Sequence, residues 1–176
     1  IYERKDEESG IYELIPEFSS EVNLNRMIHA AYVQWNKKIK KWSYASGVRF
    51  EYMNRDFQLQ DKANLIDSTY SYTYFKPFFS GNVSYTSTEN LTWKLNFTQR
   101  VERETTFKMN PFPEREHSET LEQGDPTVLP EFINTAEIGV IKTWDANSLF
   151  VTAYYNRIKN LVNRVNTVYN DSILNR

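Results

Sequence analysis

The chain has 176 residues, which corresponds to one domain, and its formal net charge is −2. This near-neutral balance provides no basic surface, so composition argues against nucleic-acid binding. The chain contains no cysteine, which excludes disulfides and thiolate metal sites. It also contains no run near the roughly 18 apolar residues of a membrane helix.

The first part of the chain predicts a loop followed by two strands. Residues 1–21 are charged and irregular, with a short strand near Ile11–Ile15. The first long strand is predicted from Val22 to about Trp35, and a turn follows at residues 36–41. The second strand, Trp42–Met53, alternates apolar and polar residues, as a strand with two different faces does.

The third strand is predicted from about Tyr72 to Thr86, after a long polar connection at residues 54–71. Pro77 has no N–H group, so it is expected near the start of this strand or at a bulge. A tight turn at residues 87–89 then leads into the fourth strand.

The fourth strand, Asn90–Val101, shows the clearest alternation in the chain. One face carries apolar side chains and the other carries polar side chains. The apolar set is Leu91, Trp93, Leu95, Phe97 and Val101; the polar set is Thr92, Lys94, Asn96, Thr98 and Arg100. A helix would scatter both sets around its circumference, so this period of two predicts a strand.

The last third of the chain predicts a long connection and a final pair of strands. Residues 102–130 contain four of the six prolines and are expected to be irregular. The fifth strand is predicted at Glu131–Trp144, and a turn follows at residues 145–147. The sixth strand is predicted from Leu149 to about Val165.

The lengths of the connections and the positions of the tryptophans favour a membrane barrel. Short turns alternate strictly with long connections, an asymmetry typical of transmembrane β-barrels. Trp35, Trp42, Trp93 and Trp144 all lie near short turns, which predicts one interfacial girdle. A second girdle is expected from Tyr52, Tyr70, Tyr72, Tyr74 and Phe75. The alternation alone is equally compatible with a soluble antiparallel barrel or sandwich.

If the apolar face contacts lipid, the opposite face lines the barrel lumen. The candidate lumen-facing residues are Arg49, Glu51, Lys94, Asn96, Arg100 and Glu137. They are expected to contact a plug or a passing solute, or simply to hydrate the interior. His29 and His117 are the only histidines and have no cysteine partner, so neither a metal site nor catalysis is expected.

Two segments carry a resemblance to a known family. Arg103-Glu104-Thr105 followed by Met109-Asn110-Pro111-Phe112, and then Gly124 to Glu131 (GDPTVLPE), resemble barrel motifs of TonB-dependent outer-membrane receptors. Glu137-Ile138-Gly139-Val140 and the strand around Tyr154-Tyr155 are also similar to family strands. Glu104 stands where the family usually has proline. The resemblance covers Val22 to Val165 and is strongest to the SusC-like, outer-membrane β-barrel subgroup.

The resemblance implies an all-β, antiparallel up-and-down segment of a large transmembrane barrel in the outer membrane of a Gram-negative bacterium. Such a receptor imports a bulky solute, for example a siderophore or a glycan. Residues 1–176 would supply about six strands, with external loops near 1–21, 54–71 and 102–130, as part of a longer protein.

The implied partners are membrane lipid, the protein's own plug domain, the remaining barrel strands, TonB and a surface lipoprotein lid. No enzymatic activity and no cofactor are expected. Two alternatives stay open: a non-transporting outer-membrane barrel or assembly scaffold, and a soluble β-barrel that binds a ligand.

Overall fold

A computed structural model describes residues 3–5, 10–14, 20–61, 66–112, 114–117 and 120–166. The main sheet has six strands: β3 (Ser20–Ile39), β4 (Trp42–Asp61), β5 (Asp67–Thr88), β6 (Leu91–Glu102), β9 (Glu131–Trp144) and β10 (Asn147–Lys159). They lie in the order β10-β9-β6-β5-β4-β3, and all neighbours are antiparallel. The all-β, up-and-down fold class predicted from alternation is therefore confirmed.

Two short hairpins and one short helix complete the described structure. β1 (Glu3–Lys5) pairs with β2 (Tyr12–Leu14), and β7 (Glu114–His117) pairs with β8 (Thr120–Glu122). The helix α1 (Thr106–Met109) lies in the connection between β6 and β9. Within the described residues, β3 and β10 each have a strand on one side only, so the sheet does not close on itself.

All three tight turns lie at one end of the main sheet, because consecutive antiparallel strands run in opposite directions and every second connection returns to the same end. The turns are at residues 40–41, 89–90 and 145–146. Lys40 and Asp145 have φ values of 50° and 45°, the left-handed conformation that the common two-residue hairpin turns favour. The opposite end of the sheet carries the longer connections.

The predicted external connection at residues 54–71 is wrong in its bounds. β4 continues to Asp61 and β5 begins at Asp67, so most of this stretch is strand. The face that is apolar up to Tyr52 becomes polar at Asn54 and beyond. The other face continues with buried Phe57 and Leu59, so the alternation persists while the apolar residues change sides.

Other strand ends also differ from the predictions. β3 extends at both ends, from Ser20 to Ile39, and β10 ends at Lys159 rather than near Val165. β9 has the predicted bounds, Glu131–Trp144. The first 21 residues contain the hairpin β1–β2 as well as the start of β3, and residues 6–9 and 15–19 lie outside the described part.

Pro77 lies within β5, not near its start, at the place where β5 and β6 separate. Pairing of these two strands ends at Ser80 and Thr98. Just beyond it, the Phe79 backbone N–H donates to Gln99 Oε1 at 3.1 Å. Backbone groups of alternate residues point to the same side of a strand, so the nitrogen of Pro77 also faces β6. The missing N–H of Pro77 therefore lies where the hydrogen bonds between β5 and β6 have already ended.

The two faces of the main sheet differ in what covers them. The apolar face carries Trp93, Leu95 and Val140, and its large side chains are mostly exposed. The opposite face carries Glu51, Asn96 and Glu137, and we call it the loop face because the connection after β6 packs on it. Two buried clusters centre on the loop face of β4 and β5. One contains Met53, Tyr74 and Phe78, together with Phe132 from the other face of β9, at the end where β5 and β6 no longer pair. The second contains Phe57, Leu59 and Met109.

Candidate functional site

The six candidate lumen residues lie on one face of the sheet, the loop face. Asn96 pairs with Asn82 on one side and with Glu137 on the other, and paired residues share a face. The period of two brings Lys94 and Arg100 to the same face of β6. Arg49 and Glu51 are likewise on the loop face of β4.

The described ends of the loop at residues 103–130, around α1 and around Val128, lie on the half of this face away from the tight turns. Met109 of α1 is fully buried, in a cluster with Phe57 and Leu59 of β4. Partly buried Val22, Tyr70 and Phe112 pack around this cluster. Apolar packing therefore holds the loop against the sheet, and it explains why β4 and β5 bury apolar side chains beyond Tyr52.

Charged groups add a second set of attachments, centred on Glu51. The Glu51 side chain is fully buried and accepts hydrogen bonds from Arg49, Arg103 and Tyr74. Arg103 also donates to the Tyr74 hydroxyl at 3.1 Å. Because Arg103 opens the loop and Glu51 lies in β4, this carboxylate joins the loop to the wall. Charge-assisted bonds of this kind are about twice as strong as neutral ones.

Two arginines on neighbouring strands hold the backbone of the loop. Arg26 on β3 donates to the Glu104 carbonyl at 2.8 Å. Arg55 on β4 donates to the Val128 carbonyl at 3.0 Å and contacts Met109 Sδ at 3.3 Å. The two arginines are register partners. They therefore fix both the outgoing and the returning arm of the loop.

Inside the loop, the two segments that carry the family resemblance contact one another. The Gly124 N–H donates to the Asn110 carbonyl at 2.6 Å, and the Asp125 N–H donates to the Lys108 carbonyl at 3.0 Å. A Cβ at Gly124 would lie 2.9 Å from the Asn110 nitrogen, so only glycine fits here without a backbone shift. These segments are architectural, and they fold the loop into one unit.

The buried Glu104, just before α1, pairs with a lysine inside the helix. Lys108 Nζ lies 2.8 Å from Glu104 Oε2, one helical turn away. This hydrogen bond to the Glu104 carboxylate raises the pKa of Lys108 above its usual value. Glu131, at the other end of the loop, accepts from the Val162 N–H at 2.9 Å and so binds the segment after β10.

The other half of the loop face, near the tight turns, is polar and open. Asn82 donates to Asn96, and Asn96 Nδ2 donates to Glu137 Oε2 at 3.3 Å. On β3, Tyr32 donates to Gln34, which donates to Asn36. Neighbouring positions are small, and a Cβ at Gly47 would lie 2.7 Å from the Tyr32 hydroxyl. This arrangement is a wall of carboxamides and hydroxyls around an open recess of about 230 Å³, lined among others by Tyr32, Asn96 and Glu137.

Sequence reasoning did not identify Arg26, Arg55 or Tyr74 as parts of this site. Arg55 lies beyond the predicted end of the second strand, and Tyr74 was assigned to a girdle. The sequence does contain a signal for them. Glu51, Met53, Arg55 and Phe57 are every second residue, so they share one face if the strand continues past Met53. Following that alternation past Met53 would have extended the strand and put Arg55 beside Glu51 on one face.

The four tryptophans all lie on the apolar face, on the half nearer the tight turns. Trp42 and Trp93 flank Tyr85, and the rings of Trp42 and Tyr85 are 4.5 Å apart. The five residues of the predicted second girdle do not share one face. Tyr52 and Phe75 share the apolar face, but Tyr70, Tyr72 and Tyr74 are on the loop face because their parity is opposite. His29 stacks on Tyr52 at the same border, with ring centroids 6.4 Å apart.

The height of the apolar band agrees with a membrane. On β4 it runs from Trp42 to Tyr52, about 33 Å along the strand at ~3.3 Å per residue. With the usual tilt of about 40° this becomes roughly 25 Å, the height of the apolar band on outer-membrane barrels. Among the described residues, no helix is long and apolar enough to cross a membrane.

Comparison with known proteins agrees with this geometry. The chain matches the outer membrane protein beta-barrel family over residues 1–176. No curated protein and no solved structure matches it. An exposed apolar band, an opposite face with polar side chains and an up-and-down sheet are the features of that class. The chain therefore belongs to the outer membrane protein beta-barrel family, and its six-stranded sheet is part of an outer-membrane β-barrel.

Proposed function

We propose that this chain forms part of the wall of an energy-coupled importer, a TonB-dependent receptor of the SusC-like subgroup in a Gram-negative outer membrane. The observation that carries this proposal is the loop at residues 103–130, which is bound to the loop face through Glu51, Arg55 and Arg26. A loop held inside a barrel narrows the passage and gives it selectivity.

The open half of the loop face supports the same function. Its carboxamides and Glu137 can exchange hydrogen bonds with a polar solute or with a plug domain that moves during transport. Arg49 and Arg100 lie at the border between the open half and the loop. In this proposal the loop sets the width of the passage, and the polar wall below it provides replaceable contacts.

The proposal assigns several partners to the chain. The unpaired sides of β3 and β10 pair with further barrel strands, since an exposed edge is otherwise a site of aggregation. The loop face contacts the plug domain, on which TonB acts from the periplasm. A surface lipoprotein would cover the opening as a lid. The chain contributes no catalytic group and no cofactor in this function.

The main alternative is an outer-membrane barrel that does not transport, such as an assembly scaffold. The bound loop favours transport over a scaffold, because a barrel through which no solute passes does not need a narrowed polar passage. The soluble ligand-binding barrel left open by the alternation is excluded by membership of the outer-membrane family.

The test uses the intact protein in a Gram-negative host. We expect it in the outer-membrane fraction as a band whose gel mobility changes on heating, because barrels resist detergent until heated. We also expect solute uptake to stop when TonB is depleted. An outer-membrane protein whose loss changes no TonB-dependent uptake, across siderophore and glycan panels, would support the scaffold instead.

A further inference from the structure

A notch on the apolar face has a composition unlike the rest of that face. It lies across β6, β9 and β10, has a volume of about 350 Å³, and is lined by Phe97, Gln99, Asn134, Ala136, Tyr155 and Arg157. These residues form two rows in the register of the sheet. Phe97, Ala136 and Tyr155 make an apolar row, and Gln99, Asn134 and Arg157 make a polar row.

The two rows mark the border of the exposed apolar band at the end away from the tight turns. The next row on this face, Val101 and Phe132, is packed against the cluster of Met53, Tyr74 and Phe78 instead. In this class of barrel the short turns are periplasmic, so this border lies at the headgroups of the outer leaflet. The apolar row then faces acyl chains, and the polar row faces headgroups. The notch spans the boundary, which suits a molecule that has one polar end and one apolar end.

The charge of this region is entirely positive. Arg157 and, two residues further along the same face of β10, Lys159 are exposed cations. No aspartate or glutamate lies on the apolar face of β6, β9 or β10. A guanidinium close to low-dielectric lipid and without an acidic neighbour favours an anion brought by a ligand.

The amides of the polar row are held in one orientation. Gln99 Oε1 accepts the Phe79 N–H, and Gln99 Nε2 donates to Asn134 Oδ1 at 2.7 Å. The carbonyl of Asn134 is therefore occupied, and its Nδ2 group is left as a donor. The notch thus offers a cation and an oriented amide donor beside three apolar side chains.

We propose that this notch binds the phosphorylated headgroup of an outer-leaflet lipid. Arg157 forms a bidentate pair with a phosphate, a geometry that guanidinium matches well. Asn134 Nδ2 donates to a second oxygen of the headgroup. Phe97, Ala136 and Tyr155 cover the first methylenes of an acyl chain. This site is independent of import and rests on the outer-membrane assignment.

The test uses the intact outer-membrane protein in phosphatidylcholine vesicles with added lipid A, either bis-phosphorylated or dephosphorylated. Bound lipid is counted by native mass spectrometry after mild detergent extraction. We expect retention of the phosphorylated form only, and about a tenfold loss of retention in Arg157→Gln, as for one charged hydrogen-bonded contact. The matched control is Lys142→Gln, a cation on the same face near the tight turns.

Several results would overturn this site. Equal retention of dephosphorylated lipid A, or unchanged retention in Arg157→Gln, would exclude a phosphate site here. An equal loss in Lys142→Gln would indicate a nonspecific charge effect. Displacement of the lipid by inorganic phosphate would assign the notch to a soluble anion. An unchanged heat-modifiable band shows that each variant is folded, and none of these outcomes depends on whether the receptor imports a solute.

Discussion

At the scale of single residues, the attachment of the loop depends most on Glu51. Its buried carboxylate accepts from two arginines and one tyrosine, and one of those arginines belongs to the loop. The side chain of Arg103 is only 19% exposed, so its positive charge has little water to compensate the loss of this partner. Breaking a buried ion pair from one side is costly for that reason.

We expect Glu51→Gln to loosen the loop while leaving the sheet folded. The loss of charge should reduce the free energy that holds the loop by roughly 1.5–3 kcal/mol, the range for hydrogen bonds to charged groups. The measurement is the rate at which trypsin cleaves after Lys108 in the detergent-solubilised protein. Cleavage should be clearly faster than in wild type.

The matched control for this change is Glu137→Gln. It removes the same charge from the same face, where the carboxylate accepts one 3.3 Å bond from Asn96 and lies outside the loop. Cleavage after Lys108 should stay at the wild-type rate. Equal acceleration in the two variants would mean that general charge on this face, rather than the bond to Arg103, protects the loop.

At the scale of elements, the loop behaves as an attached unit whose short helix supplies its apolar anchor. α1 has only four residues and no side-chain N-cap, so it has little stability of its own. Met109 is fully buried, whereas Phe107 on the same helix is 54% exposed. Packing on β4, rather than helix propensity, therefore determines where α1 lies.

Met109 and Phe107 allow a direct comparison of a buried and an exposed side chain on the same helix. We expect Met109→Ala to destabilise the attached loop by about 2–5 kcal/mol, the range for deleting a buried methionine side chain. Phe107→Ala should change it by less than about 0.5 kcal/mol. Hydrogen exchange of residues 106–112 measures both effects. Similar exchange in the two variants would show that α1 is not anchored through Met109.

At the scale of the whole molecule, the two faces of the sheet require different environments. Leu95, in the middle of the apolar band, is 53% exposed. A soluble protein rarely leaves such a continuous apolar face uncovered. In a bilayer the same exposure is stabilising, and a charge placed there is costly in proportion to its depth.

Leu95→Arg should therefore impair insertion far more than Thr98→Arg, three residues further along the same strand. The first puts a charge on the apolar face at a cost of roughly 2–4 kcal/mol near the midplane. The second puts it on the exposed, polar loop face. The measurement is the heat-modifiable fraction of the intact protein after folding into lipid vesicles. Equal yields for the two variants would contradict a lipid-facing apolar band.

The six strands of the main sheet and their antiparallel, up-and-down order could be predicted from the sequence. The hairpin β7–β8 and the change of sides of the apolar residues beyond Tyr52 were not. Alternation along Trp42–Met53 and Asn90–Val101 is a local property, since the pleat itself sends successive side chains to opposite sides. Short turns then force sequential strands to pair as antiparallel neighbours. The same parity also assigns Tyr74 to the loop face, although its aromatic character suggested an interfacial position.

Only the tertiary structure decided that the connection after β6 folds onto the sheet. Arg26, Glu51 and Arg55 act through partners that are 78, 52 and 73 residues away in the chain. Contacts of that range leave no periodic signal, because each depends on where two distant segments meet rather than on local backbone geometry. By itself the sequence determined a two-faced barrel wall, whereas long-range pairing of buried charges placed a loop upon it.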